Sequence, residues 1–448
     1  MAVLANDSKA TERCLVLGVN NDNDRFNSNA DDNLNNDRRA REWPALPKRP
    51  AASFGVFAVK TYRSLWKEFC TFEHLQKAYE LAKKNKSGNP RVLAFEKNWR
   101  LQLCLLLREL REQTYCPKPL EKFVLRDPKT RVICVSDFRD RIVHHALVNI
   151  LQPIFEPRFI ADSYASRPGK GTLAALQRFD KFKRQVSKNG TLISNAKDNN
   201  QVKGFVLKAD IKSYFDMVDQ AVLLSLLRQR IKDENVLWLV QRILNNYSSG
   251  EPGKGMPLGN WTSQFFANVY LNELDQFVKQ DIRAKYYLRY VDDFVLFHAS
   301  KAVLGEFREK IKTFLQEQLL LGLHPTKSRI ISLGNGVSFL GFRVFYHHKL
   351  VRRKNWRKIH AQLQDLLQQY RHRAIDARAV FGVLHGWEAY ALHGNTYRMR
   401  KMLRSFVEEN IFYPLKLKPF PVQSAVSSAG QTRPLHDSIA RIPAQISL

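Results

Sequence analysis

Two aspartates side by side within an apolar run, Tyr290-Val291-Asp292-Asp293-Phe294, constrain this chain more than any other feature. The flanks, Tyr286–Tyr290 and Phe294–His298, are aromatic and aliphatic, which favours strands. The acidic pair is therefore predicted at the bend of a β-hairpin. Adjacent carboxylates in apolar surroundings repel, and each raises the other's pKa; a bound divalent cation relieves that repulsion. A further acid, Asp210, ends a second strand-like run, Phe205-Val206-Leu207-Lys208-Ala209-Asp210. Magnesium takes a few carboxylate oxygens and completes its shell with substrate phosphates. Two such ions stabilise the attacking and leaving oxygens of an in-line phosphoryl displacement. Alone, Asp210 reads as an ordinary strand-end acid. The two segments together point to a phosphoryl-transfer site.

The charge fits a polyanionic partner. Lys and Arg number 72 against 42 Asp and Glu, a net of +30, and the first fifty residues carry eight of each sign, so the excess lies in the remainder. Nucleic acid, a membrane surface or a ribosome would each satisfy it. The five cysteines, Cys14, Cys70, Cys104, Cys116 and Cys134, form no CxxC pair. Their odd number suits a reducing compartment better than a disulfide scaffold. The apolar run Cys14–Val19 is too short for a signal-peptide core, and no run reaches the roughly eighteen apolar residues of a membrane span. A soluble, cytoplasmic protein without a membrane partner is expected.

Along the chain, residues 1–55 stand apart: Asn20 to Asn36 holds eight asparagines, a composition that competes with helix and strand alike, and this segment is expected to be disordered. Residues 56–203 should supply N-terminal helices and fingers, including one amphipathic helix over Phe95–Glu112, extended segments over Lys122–Val135 and a helix from about Phe138 to Leu151. Residues 204–346 should form the palm, with strand Gly204–Asp210, helices Gln220–Arg230, Glu234–Asn246 and Thr262–Lys279, the acidic hairpin, a helix near 303–321 and a strand Val337–Val344. Residues 347–413 read as a basic helical thumb and 414–448 as a loose tail.

The sequence YVDD resembles the central motif of reverse transcriptases, and KADIKSYFD resembles the motif that carries their first metal-binding Asp. The likeness continues in order. Arg126–Val135 and Phe138–Leu147 resemble the fingers motifs of bacterial, retron and group II intron enzymes, and Ser163–Thr172 their next block. Gly255–Asn272, Leu323–Ile330 and Val337–Val344 resemble the remaining palm motifs, so the resemblance spans about residues 60–410. It implies an α+β right-hand polymerase with fingers, a palm of antiparallel sheet plus helices, and a helical thumb. It also implies RNA-directed DNA synthesis with two Mg2+ ions, for which Mn2+ can substitute, held by Asp210, Asp292 and Asp293.

Carried residue by residue, the resemblance assigns Lys327 to protonation of the pyrophosphate leaving group. Arg126, Lys129 and Arg131 would fold over the incoming triphosphate, where an arginine fork suits phosphate oxygens; a solvated charged turn is the rival reading. Phe215 would sit under the sugar and exclude a 2′-hydroxyl, although as a residue it reads equally as core. Ile211, Leu258, Gly259 and Gln264 would line the nucleotide. Phe339-Leu340-Gly341 resembles the primer grip, with a buried strand carrying a glycine bulge as the alternative.

The block Pro257-Leu258-Gly259-Asn260-Trp261-Thr262-Ser263-Gln264 has an aliphatic residue before its glycine and Gln after its serine. It is similar to enzymes of diversity-generating retroelements, which copy a template RNA into adenine-mutagenised cDNA. Partners implied are a structured template RNA, the RNA/cDNA duplex, dNTPs and a small basic accessory protein forming a pentameric barrel. A retron, group II intron-like or phage-defence polymerase is the neighbouring alternative, and a non-catalytic RNA-binding maturase the alternative from another class. The Asn-rich leader is open to a second reading, as coding sequence derived from an adenine-rich template repeat.

Overall fold

The computed structural model describes residues 60–86, 88–125 and 131–412. The Asn-rich leader, the tail 414–448, Arg126 and Lys129 lie outside them. The fold is α+β, as expected. Within the described residues, contacts divide the chain into one unit running to Lys354 and including His393–Asn395, and a second comprising Asn355–Leu392 and the residues from Thr396.

After a short helix, Leu65–Phe69, the first unit carries helices α1 (Phe72–Lys83), α2 (Pro90–Glu96) and α3 (Trp99–Arg111). The single helix expected over Phe95–Glu112 is thus two. Asn89 caps Pro90 through a hydrogen bond to the Arg91 amide and starts a separate helix upstream; proline at the first position suits such a start. Asn98, at φ −133°, breaks the run, and Trp99 stacks on Tyr79 at 5.4 Å, a tertiary contact that periodicity cannot report.

Strands β1 (Glu121–Leu125) and β2 (Arg131–Val135) pair antiparallel. Helix α4 (Phe138–Phe155) follows, capped by Asp137 and buried along most of its length, and then α5 (Thr172–Val186).

The central sheet has four antiparallel strands in the order β4-β5-β3-β6: β3 (Phe205–Asp210), β4 (Tyr286–Tyr290), β5 (Asp293–His298) and β6 (Arg329–Ser332). Val206, Leu207 and Ala209 of β3 and Phe294 through Leu296 of β5 are fully buried, which forces the polar chain ends to the strand tips. Helices α6 (Gln220–Arg228), α7 (Glu234–Asn245), α8 (Trp261–Gln276) and α9 (Lys301–Gln318) share the core with that sheet.

The expected strand Val337–Val344 is instead a tight hairpin of β7 (Val337–Phe339) and β8 (Phe342–Val344), with β9 (Lys349–Val351) alongside. Leu340 and Gly341 both have positive φ, 42° and 89°, the geometry of a two-residue hairpin turn. The apolar run hid the turn because one of its two residues is leucine. The second unit packs α10 (Arg353–Arg371), α11 (Ala377–Ala391) and α12 (Tyr397–Phe412) around Leu363, Val380, Leu384, Leu403 and Val407.

Cys70, Cys116 and Cys134 are free. No described helix is long and apolar enough to cross a membrane.

Candidate active site

The sheet register brings the acids together. Asp210 ends β3 directly opposite Asp293, the first residue of β5, while Tyr290 of β4 pairs with Asp293 on the other side. The two residues between β4 and β5 are Val291 and Asp292, and the Ile211 amide donates to the Asp292 carbonyl at 3.3 Å. Asp210 and the adjacent pair Asp292-Asp293, far apart in the chain, thus share one sheet end. Val291 holds φ +54°, a left-handed conformation that costs a β-branched residue about 1–3 kcal/mol.

The electrostatics follow from that crowding. Burial, and then the neighbouring Asp210 charge, pushes the Asp292 carboxyl above its ordinary value. Burial raises Asp293 to about 6, against the pull of Lys208. Each outer acid meets a lysine: Lys327 Nζ donates to Asp210 Oδ2 at 2.5 Å, and Lys208 Nζ lies 3.3 Å from Asp293 Oδ2. Asp293 Oδ1 is buried without a hydrogen-bond partner among the described residues, although buried carboxylate oxygens are normally satisfied.

Among the described residues, no group of three or more His, Cys, Asp or Glu side chains is arranged to hold a metal ion by itself. The donor set nevertheless fits a hard divalent cation. Carboxylates that repel one another and an orphaned buried oxygen call for positive charge, which the two lysines supply only in part. Magnesium in such sites leaves several positions to water and substrate phosphates.

Comparison with known proteins gives the family. Residues 118–344 match the family described as reverse transcriptase (RNA-dependent DNA polymerase). The chain belongs to the reverse transcriptase family. It is accordingly an RNA-directed DNA polymerase, of a family whose members use divalent metal ions. The chain is 26% identical over 295 residues to the protein YkfC of Escherichia coli, covering 57% of this chain and 72% of that one. It is 29% identical over 183 residues to the group II intron-encoded protein LtrA of Lactococcus lactis, covering 39% of this chain and 28% of LtrA. Among solved structures, a telomerase from Candida albicans in complex with a fragment of telomeric RNA aligns at TM-score 0.40 and 11% identity, over 64% of this chain and 58% of that one.

The remaining nominated residues of this reverse transcriptase fall into three groups. Near the acids, Ile211 is buried, and Phe215 is half-buried in a short turn beyond the left-handed Ser213; Phe215 meets Tyr214 edge-on at 5.3 Å and its carbonyl accepts from the Met256 amide at 2.7 Å. Arg131 opens β2 and its charge opposes the rise of Asp292.

In the loop before α8, the Leu258 carbonyl accepts from the Cys134 amide at 2.9 Å. Gly259 has φ +124°, and a Cβ there would lie 2.8 Å from the Cys134 carbonyl oxygen, so only glycine allows this loop to dock on β2. Gln264 Oε1 accepts from Ser166 Oγ at 2.9 Å, tying α8 to the block Ser163–Thr172. Further away in the sheet hairpin, Phe339 is 1% exposed and stacks on Phe179 at 5.3 Å. Its ring therefore belongs to the core, and Leu340 and Gly341 form the turn.

Three residues escaped the reading of the sequence. Lys208 was visible as the one basic residue in the apolar strand that ends in Asp210. Arg289, fully buried in β4, and its partner Asp275 on α8 carried the same signal, since a charge within an apolar strand requires an acid.

Proposed function

We propose that this reverse transcriptase extends a primer along an RNA template with Asp210 and Asp292 as metal ligands and Asp293 completing the acidic cluster. The observation that carries the reading is the register Asp210↔Asp293 beside the two-residue turn Val291-Asp292. When bound, the divalent ions supply charge neutralisation at the α-phosphate and at the attacking and leaving oxygens. The primer 3′-oxygen attacks the α-phosphorus, its proton is lost to solvent, and the bond to pyrophosphate breaks. Lys327 Nζ, beside Asp210, delivers a proton to the departing pyrophosphate. Arg131, with Arg126 and Lys129, neutralises the triphosphate, Phe215 bars a 2′-hydroxyl, and Ile211, Leu258, Gly259 and Gln264 frame the base pair. Leu340 and Gly341 face the primer backbone.

The finer reading is a polymerase of a diversity-generating retroelement, working in the cytoplasm with Mg2+, or Mn2+ in its place, and with a small basic barrel-forming partner. Support comes from the aliphatic Leu258 before Gly259 and from Gln264. An aliphatic side chain supplies no amide hydrogen bonds to the nucleotide, so fidelity is lowered. Similarity to LtrA favours a group II intron-like enzyme as the second reading. The domain assignment follows the same reading: 56–203 as fingers, 204–346 as palm and 347–413 as thumb.

Primer extension on a defined RNA tests both levels. Asp210→Asn and Asp292→Asn are expected to lose activity by about a thousandfold or more; near-normal extension by either variant refutes the catalytic assignment. Errors confined to template adenines support the retroelement reading, and evenly distributed errors favour the intron-like one.

A further inference from the structure

Two residues before the turn Val291-Asp292, on β4, lies a side chain that takes no part in the proposed reaction. Arg289 is completely buried, and so is Asp275 on α8, with which it pairs. A guanidinium has five N–H donors in a rigid fork, and here each finds an acceptor. Nε donates to Asp275 Oδ1 at 2.8 Å and Nη2 to Asp275 Oδ2 at 2.6 Å. Nη2 also donates to Ser163 Oγ at 3.2 Å, and Nη1 to Asn268 Oδ1 at 3.2 Å. The fifth bond runs from Nη1 to the carbonyl of Val291, at 3.2 Å. Asp275 is held in turn by the Tyr287 hydroxyl at 2.6 Å.

The backbone is held as closely. The Arg289 amide donates to the Asp162 carbonyl at 2.9 Å, and the Tyr164 amide donates to the Arg289 carbonyl at 3.0 Å. The arginine is therefore fixed from β4, from α8 and from the segment 162–164, and its one contact with the turn is the carbonyl of the residue in the unfavourable conformation.

That conjunction has a physical logic. Val291 occupies a turn position where glycine is preferred, and it persists there only if its surroundings over-determine it. A buried ion pair is weak as a source of stability, since a well-packed apolar pair often serves as well. A fully used guanidinium, by contrast, fixes a position in space. The peptide whose carbonyl it grips joins Val291 to Asp292, so the grip sets where Asp292 stands relative to Asp210.

We propose that Arg289, oriented by Asp275, is a positioning residue: it clamps the Val291–Asp292 peptide and so holds the Asp292 carboxylate in register with Asp210 for divalent-ion binding. The inference rests on the reading of Asp292 as a metal ligand.

The test uses the full chain and Arg289→Lys, which keeps the charge and loses the fork. Mn2+ binding is measured by the fall of its free-ion paramagnetic resonance signal, beside primer-extension kinetics and thermal unfolding. Expected are Mn2+ affinity weaker by about tenfold and kcat lower by a similar factor, with KM for dNTP within about twofold. Glycine adopts positive φ freely, so Val291→Gly in the Arg289→Lys background should recover at least half of the lost Mn2+ affinity.

An Arg289→Lys protein with wild-type Mn2+ affinity and kcat per active site overturns the proposal, even if it melts earlier. So does a Val291→Gly double variant that recovers nothing. Should Arg289→Lys not fold, Ser163→Ala, which deletes one Nη2 contact and leaves the ion pair, is expected to weaken Mn2+ binding by about twofold to threefold; unchanged binding then overturns the proposal. Asp292→Asn run in parallel separates the two levels. If it binds Mn2+ and extends primers normally, the metal-ligand reading itself has failed.

Discussion

Acidification should destabilise this enzyme in large part through one buried imidazole. His144 lies on α4 and is 4% exposed; Nδ1 is 2.6 Å from Thr262 Oγ1 and Nε2 is 3.4 Å from Ser136 Oγ. It thereby links Ser136, just beyond β2, and α4 to the first turn of α8. Burial, reinforced by the charges of His145 and Arg141, pushes its pKa from 6.5 down to about 3. The unfolded chain then binds a proton that the folded chain refuses. Stability is complete above about pH 6.5 and is lost as pH falls toward 3, because the unfolded state is the better proton acceptor throughout that window. Moving from about pH 7 to about pH 5 should cost roughly 2 kcal/mol from this residue alone.

The assay is urea unfolding, followed by tryptophan fluorescence, of wild type and His144→Gln at both pH values. His145, also lowered, to about 4, adds a loss of the same sign that both proteins share, so the informative quantity is the difference between their losses. If wild type and His144→Gln lose the same stability on acidification, the neutral buried imidazole is refuted.

Gly259→Ala should destabilise by about 2–3 kcal/mol, through left-handed strain and disruption of the Cys134–Leu258 hydrogen bond, and should raise KM for dNTP; a melting temperature and KM both equal to wild type would contradict the docking of this loop on β2. Phe215→Ala should lower discrimination against ribonucleotides by about tenfold or more, read from the ratio of kcat/KM for matched dNTP and rNTP; unchanged discrimination would remove Phe215 from the sugar site.

Much of the local structure was legible in the chain. The hairpin around Val291-Asp292 follows from β-favouring flanks, and β3 from an apolar run ending in Asp210. Helices α6 and α7 begin behind capping aspartates, Asp219 and Asp233, and their starts were read correctly. These features depend on residues a few positions apart, which is the range over which propensity, capping and periodicity act.

What depended on distant partners was not legible. Trp99 on Tyr79 divided a helix, and the turn at Leu340-Gly341 folded a strand back on itself. The buried Phe339 ring became core because Phe179 stacks on it. Above all, a lone arginine in an apolar strand announces only that it must be satisfied. Which five acceptors satisfy it, and that one of them is the carbonyl of a left-handed valine beside Asp292, was decided by the packing of β4 against α8 and the segment 162–164. The acids and their order belong to the sequence. Their juxtaposition belongs to the sheet, because only inter-strand register sets Asp210 against Asp293.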